Sequence, residues 1–310
     1  MFDMLLSGLC QGFIWAILSL GVYISYRMLD FADLSCEGTI TTGASVAAML
    51  IWRGCNPFLA ALLAFIAGCL AGTITGLLHT KLKIPPILAG ILTMISLYSI
   101  NIHIMNLATG KEGTSNLSLL NYKDQTVYAA IDRLLGIGKT NASLLLGLVI
   151  AAAVIALLYW FFGTEIGCAI RATGTNEKMC RAQGINTDVT KIIGLAASNG
   201  FIALSGALLS QYQSYTDVGM GVGSIVIGLA SIIIGETLFA RAKHFAVRLL
   251  GIVVGAVLYR IVVAFVIFSG MPSTDLKLMT AVVVAVALSL PILKNRLALN
   301  AKKKNAKKAG

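Results

Sequence analysis

Apolar stretches recur along the chain with short polar breaks between them. Their lengths predict helices at 4–26, 38–52, 58–79, 86–107, 142–162, 192–214, 223–239, 249–268 and 276–293. About 20 consecutive apolar residues are needed to cross the hydrocarbon core as a helix, and a soluble helix would show one apolar stripe instead. The pattern predicts an all-α polytopic membrane protein with eight or nine transmembrane helices. The segments 38–52 and 223–239 are short and Gly-rich, which predicts two partial or broken helices. The first stretch has neither a basic flank before it nor a small-residue cleavage site after it, so it reads as a retained span.

The two short segments echo each other. Gly38-Thr39-Ile40 with Gly43 follows the polar bend "DFADLSCEG", and Gly223-Ser224-Ile225 with Gly228 follows "YTDVGMGVG". Interrupted helices at corresponding places in two halves point to a transport pathway at a repeat interface. Freed backbone groups in a membrane must be satisfied by protein or by cavity water.

Charge sets the expected orientation. With the N-terminus outside, the cytoplasmic side receives Arg27, Lys81, Lys83, Arg171, Lys178, Arg181, Lys191, Arg241, Lys243, Arg248 and the basic residues from Lys294 to Lys308, most of the 24 Lys and Arg. Such an excess marks the cytoplasmic side, so the C-terminus is expected there too. The loop 163–191 then faces the cytoplasm, and 108–141 is an outside loop expected to carry short interfacial helices. This divides the chain into a permease domain, 1–296, and a basic tail, 297–310, whose expected roles are topology and contact with anionic lipid. The net charge of +11, with 57% hydrophobic residues and mean hydropathy of +0.86, fits that rule better than nucleic-acid binding. The six cysteines lack metal-ligand spacing and read as small buried hydrophobes. No metal or catalytic group is expected.

The polar segment "EIGCAIRATGTNEKMCRAQGINTDVTK" interrupts this oily chain. Thr175 is the expected N-cap of a short helix, 176–183, with Glu177 in its first turn. Gly184 takes the left-handed position that stops it, and Asn186 or Thr187 caps the next membrane helix. Two turns are marginal in water alone, so a helix specified this closely is expected to dock on a partner through Met179, Cys180 and Ala182, with charge from Arg171, Lys178 and Arg181.

Gly167, Ala169, Arg171, Ala172, Gly174, Asn176, Gly184, Ile185 and Asn186 form a pattern that resembles the coupling loop of permeases of the branched-chain amino-acid, ribose and autoinducer ABC importer family. In the bend after the first span, Phe31-Ala32 and Glu37 resemble the amino-acid branch, while Asp33-Leu34-Ser35 and Gly38 resemble the sugar branch. The likeness runs from Gly8 to about Pro291. It implies a non-catalytic permease subunit in a bacterial cytoplasmic membrane, working with ABC ATPase subunits, an extracytoplasmic substrate-binding protein and a second permease copy or paralogue. It also implies that no cofactor belongs to this chain, with ATP and magnesium on the ATPase. The sequence "GTNEKMC" lacks the phosphate-cradling glycines of a nucleotide loop, which agrees with a separate ATPase chain. By the resemblance, Arg171, Thr175, Asn176, Glu177, Lys178, Met179, Arg181 and Gly184 couple to that ATPase. Phe31, Asp33, Ser35, Glu37, Gly38, Tyr212, Tyr215 and Gly223 are the expected translocation-path residues.

Several of these residues have plainer readings. Glu37 either lines or gates the path or caps the helix that follows it. Phe31, Tyr212 and Tyr215 either line the path or anchor the membrane boundary. Glu236 is expected to pair with Arg241 or another basic residue, and Arg260 to snorkel or to pair with Glu236 or Asp275. Asn199, Gln211 and Gln213 suit helix–helix hydrogen bonds, and Gly68, Gly72 and Gly76 suit close helix packing. Histidines 79, 103 and 244 read as loop-edge or packed residues. The leading function is an ABC permease for an amino acid, aromatic or branched-chain. Sugar or nucleoside uptake stays open through the "DLS" bend. An ion-coupled carrier rests on Glu236 and Arg260 alone, and a purely structural role explains neither the bends nor the capped loop.

Overall fold

A computed structural model of the chain describes residues 2–136, 138–240 and 244–268, and beyond them 278, 281, 282, 284–286 and 289. The expected span 276–293 lies largely outside the described residues, and the tail 297–310, Arg241, Lys243, Asp275 and Lys277 lie wholly outside them. The helices are α1 (Phe2–Tyr23), α2 (Cys36–Trp52), α3 (Pro57–Thr80), α4 (Pro86–Thr109), α5 (Val127–Leu135), α6 (Lys139–Phe161), α7 (Glu165–Thr175), α8 (Glu177–Ala182), α9 (Thr187–Gln213), α10 (Ser224–Leu238) and α11 (Phe245–Phe268). Among the described residues, six are long and apolar enough to cross a membrane: α1, α3, α4, α6, α9 and α11. Helix α10 has 15 residues and rises about 22 Å, short of the roughly 30 Å hydrocarbon core.

The two short helices are continuous, so of the two expected forms, partial or broken, the structure shows no break within them. In α2 the hydroxyls of Thr39, Thr41, Thr42 and Ser45 bond back to the carbonyls of Ser35, Glu37, Gly38 and Thr41. Its polar residues therefore satisfy themselves along the helix without opening it. The breaks fall just before the short helices. A π-helical turn, Ile24–Met28, ends α1 and leads into the bend 29–35, and the turns at 218–223 precede α10.

Helix α9 is the packing centre. Side chains on Gly68, Gly72 and Gly76 of α3 would run into Asn199, Leu195 and Ile192 of α9, as the spacing predicts. On another face, Gly43 of α2 lies on the Ala203 backbone and Gly206 of α9 on that of Ile40. Such contact lets the backbones approach closely. Ser198 and Ser205 donate to the carbonyls of Gly21 and Ile14, tying α9 to α1. The loop 108–141 contains the expected amphipathic helix α5, capped by Thr126, and also a strand that was not expected. The strand β1 (Asn116–Ser118) pairs antiparallel with β2 (Tyr215–Asp217), closing a ribbon over the end of the bundle where α9 finishes.

Glu236 Oε1 accepts from Arg27 Nε at 3.0 Å, from α10 to the π-helical turn after α1, which is the expected pairing with a basic residue. Arg260 lies 4.2 Å over the Trp15 ring and meets neither Glu236 nor any other carboxylate among the described residues.

Candidate functional site

The polar segment contains two helices, not one. Thr164 caps α7, a helix the sequence reading missed. Thr175 is its last residue and bonds back to the Arg171 carbonyl, so it is not the cap of the short helix. That role belongs to Asn176, whose extended backbone frees its side chain to accept from Met179 N at 3.0 Å. Gly184 takes the expected left-handed conformation, with φ of 82°, and Asn186 caps α9. Lys178 and Met179 point outward and are exposed, while Cys180 is buried beneath them. Arg171 stacks over Phe245 at 5.2 Å and so holds α7 against α11.

Helix α8 is wired into the bundle. Glu177 accepts from Lys191 Nζ at 2.8 Å and from Arg181 at 2.9 Å, and Arg181 also reaches Thr187 and Asp188. The Lys191 hydrogen bond, with the Lys191 and Arg181 charges, holds the Glu177 carboxyl below its usual range, so it stays charged at neutral pH. Lys191 Nζ lies 3.3 Å from His79 Nε2, and the His79 ring packs edge-on against Phe31 at 5.1 Å. One unbroken set of contacts thus joins α8 to the bend 29–35. A second contact is more direct: Gly174 of α7 lies on the backbone of Met28 and Leu29, with no room for a side chain.

Beyond Phe31 the bend is fixed by a buried polar cluster. Asp33 is 2% exposed and Asn199 is fully buried. Asn199 Nδ2 donates to Asp33 Oδ2 at 2.7 Å, and its Oδ1 accepts from Ser35 Oγ and Thr39 Oγ1 at 3.2 and 2.7 Å. Asp33 Oδ1 accepts from Ser35 N. Asn199 therefore serves this bend, which is one particular form of the helix–helix role expected for it.

At the next turn, Glu37 Oε1 accepts from Gly223 N at 2.9 Å. Gly223 is the N-cap of α10 and Glu37 lies in the first turn of α2. The N-termini of both short helices, which carry partial positive charge, therefore converge on one carboxylate. Beside it opens a cavity of about 280 Å³, lined by Glu37, Gly38, Thr41, Met94, Ile95, Tyr98, Ser99, Asn101, Val218 and Val222. Asn101 donates to Gly38 O, while its buried Oδ1 has no donor. The cavity thus presents one carboxylate, Glu37, with Thr41, Ser99 and Asn101 as polar neighbours in a wall otherwise apolar and aromatic.

Of the expected path residues, Glu37 and Gly38 line this cavity and Gly223 closes one edge of it; Asp33 and Ser35 support the bend from behind. Phe31 is buried on His79, Tyr212 bonds Ser7 near the opposite end of α9, and Tyr215 stands exposed in β2, so these three do not converge with Glu37. The sequence reading missed Tyr98 and Asn101 as cavity residues, and His79, Lys191 and Gly174 as links. Gly174 belongs to the recognised loop pattern, which was the available signal. The others carried none.

Six helices long and apolar enough to span a membrane, with two short helices whose N-termini meet beside a cavity, describe a polytopic membrane protein with an exposed capped loop. The chain belongs to the branched-chain amino acid transport system permease component family, whose model matches residues 4–288. It is a non-catalytic, multi-pass subunit of the bacterial cytoplasmic membrane. It is 41% identical to a tyrosine transport system permease protein of Clostridioides difficile, over 98% of this chain and 95% of that one. It is 30% identical to an uncharacterized protein of Rickettsia prowazekii, over 93% and 97%. It is 25% identical to a ribose import permease protein of Haemophilus influenzae, over 83% and 75%.

Proposed function

We propose that this permease subunit takes up an aromatic amino acid of the tyrosine type, delivered by an extracytoplasmic binding protein and driven by separate ATPase subunits that carry ATP and magnesium. The observation that carries the solute class is the cavity beside Glu37. Its Glu37 carboxylate suits an ammonium group, and Met94, Ile95, Tyr98, Val218 and Val222 suit an apolar or aromatic side chain. The name of the Clostridioides relative supports the same class. Sugar uptake is the second reading, favoured by the Asp33-Leu34-Ser35 bend and the ribose relatives.

In this reading the N-terminus is outside, the C-terminus is cytoplasmic, and eight or nine spans make up the permease domain 1–296, followed by the tail 297–310. Two permease copies or paralogues face each other across the cavity. Closure of the ATPase dimer pushes on α8. The push travels through Glu177, Lys191 and His79, and through Gly174, to the bend 29–35, and re-aims the α2 and α10 N-termini around Glu37. ATP hydrolysis is thereby coupled to opening and closing of the path.

Proteoliposomes holding the full complex test the solute. ATP-dependent uptake of tyrosine is expected, and Glu37→Gln, which keeps an acceptor for Gly223 N but removes the charge, should lower tyrosine transport about ten-fold. Uptake of ribose with no uptake of tyrosine would overturn the amino-acid reading. Coupling is tested at the exposed face. Lys178→Asp combined with Met179→Asp should abolish co-purification of the ATPase while the permease still folds, and undiminished capture would remove α8 from the interface.

A further inference from the structure

Arg260 is unusual for a membrane helix, because it has a cation's cost and no anion among the described residues. An arginine within a span normally pairs with a carboxylate or lines a functional cavity. Among the described residues Arg260 has only the Trp15 ring on one face. Its Nε is buried without an acceptor, and so is Nε1 of Trp15. A buried donor that lacks a partner is costly in a low-dielectric surrounding. An oxyanion beside the guanidinium would neutralise the cation.

The place for such an oxyanion exists. A cavity of about 160 Å³ opens beside Arg260, lined also by Ser7, Gly8, Gln11, Val263, Ala264 and Ile267. Ser7 and Gln11 lie one turn apart on α1, and so form a polar strip leading inward from the bundle end where Ser7 bonds Tyr212. The other walls are apolar, and Ile267 of α11, which lines the cavity, is exposed. A charged head within reach of Arg260 and an apolar tail along the α11 flank describe a phospholipid. The cavity is little more than half the size of the one at Glu37, which suits a phosphate group better than a whole aromatic amino acid.

We infer that Arg260, Ser7 and Gln11 form a binding site for the phosphate of an anionic phospholipid, held between α1 and α11 and separate from the solute cavity. The bound lipid neutralises the buried cation and fixes the packing of α11 on α1.

Native mass spectrometry of the full-length chain in complex with its partner subunits, exchanged into detergent with phosphatidylglycerol or phosphatidylcholine, tests the site. The wild type should retain one phosphatidylglycerol per chain through a wash that strips phosphatidylcholine. Arg260→Gln should weaken that retention roughly ten-fold, and Arg260→Lys should restore part of it. Gln11→Leu, which leaves the cation in place and removes the polar strip, should give a smaller loss in the same direction, and it carries the test should Arg260→Gln fail to fold. Arg53→Gln, at a surface position bonded to the Leu107 carbonyl, should change nothing. Equal retention by wild type, Arg260→Gln and Gln11→Leu would overturn the site. Displacement of the lipid by soluble glycerol phosphate would assign the pocket to a free anion, and displacement by tyrosine would assign it to the solute; either result overturns the lipid proposal.

Discussion

Gly174→Ala is expected to stop uptake while leaving the ATPase bound. A single methyl group at this position meets the carbonyl of Met28 and the backbone of Leu29, so the bend or α7 must shift. Overpacking against backbone costs about 1–3 kcal/mol, because backbone, unlike a flexible side chain, has no alternative rotamer to adopt. The exposed face of α8 is untouched, since Lys178 and Met179 point away from this contact. Proteoliposomes of the variant complex should therefore hydrolyse ATP and transport at least ten-fold less solute per ATP consumed. Normal transport per ATP in a variant of unchanged thermal stability would show that the α7 contact with the bend carries no coupling.

Asn199→Leu should produce the largest loss of stability. The substitution is close in volume, but it leaves the Asp33 carboxylate short of its Asn199 donor and the Ser35 hydroxyl without its acceptor, and Thr39 keeps only the Ser35 carbonyl. Breaking a buried, hydrogen-bonded charged group costs on the order of 3 kcal/mol or more. The bend 29–35 should then lose its fixed shape and the α2 N-terminus should move away from Gly223. Thermal unfolding of the purified variant, set against Gln213→Leu at the half-buried C-terminal end of the same helix, measures the effect. Equal unfolding temperatures for Asn199→Leu and wild type would mean that the cluster contributes nothing to holding the bend.

The capped loop was legible because its signals are local. Asn176 and Asn186 cap helices a few residues away, and Gly184 stops one at the next position, so sequence distance and spatial distance coincide. The cap was still placed one residue early at Thr175, since Thr and Asn both accept from a backbone amide and only the actual φ of −156° at Asn176 chose between them. The Gly-rich short segments, expected as partial or broken, are unbroken for a related reason. Gly and Thr weaken a helix in water, whereas in α2 the hydroxyls turn back on their own helix and Gly43 admits α9.

The chain's apolar periodicity and basic asymmetry by themselves determined that it is a helical membrane protein with a charged, capped loop, because burial in lipid and helix capping depend on neighbours within a few turns. The pairing of Glu37 with Gly223, of Arg27 with Glu236, of Asn199 with Asp33 and of Lys191 with His79 was decided only by tertiary structure. Each joins elements far apart in sequence, and polar side chains in an apolar bundle take whichever partner the packing of α1, α2, α3, α9 and α10 brings within hydrogen-bond reach.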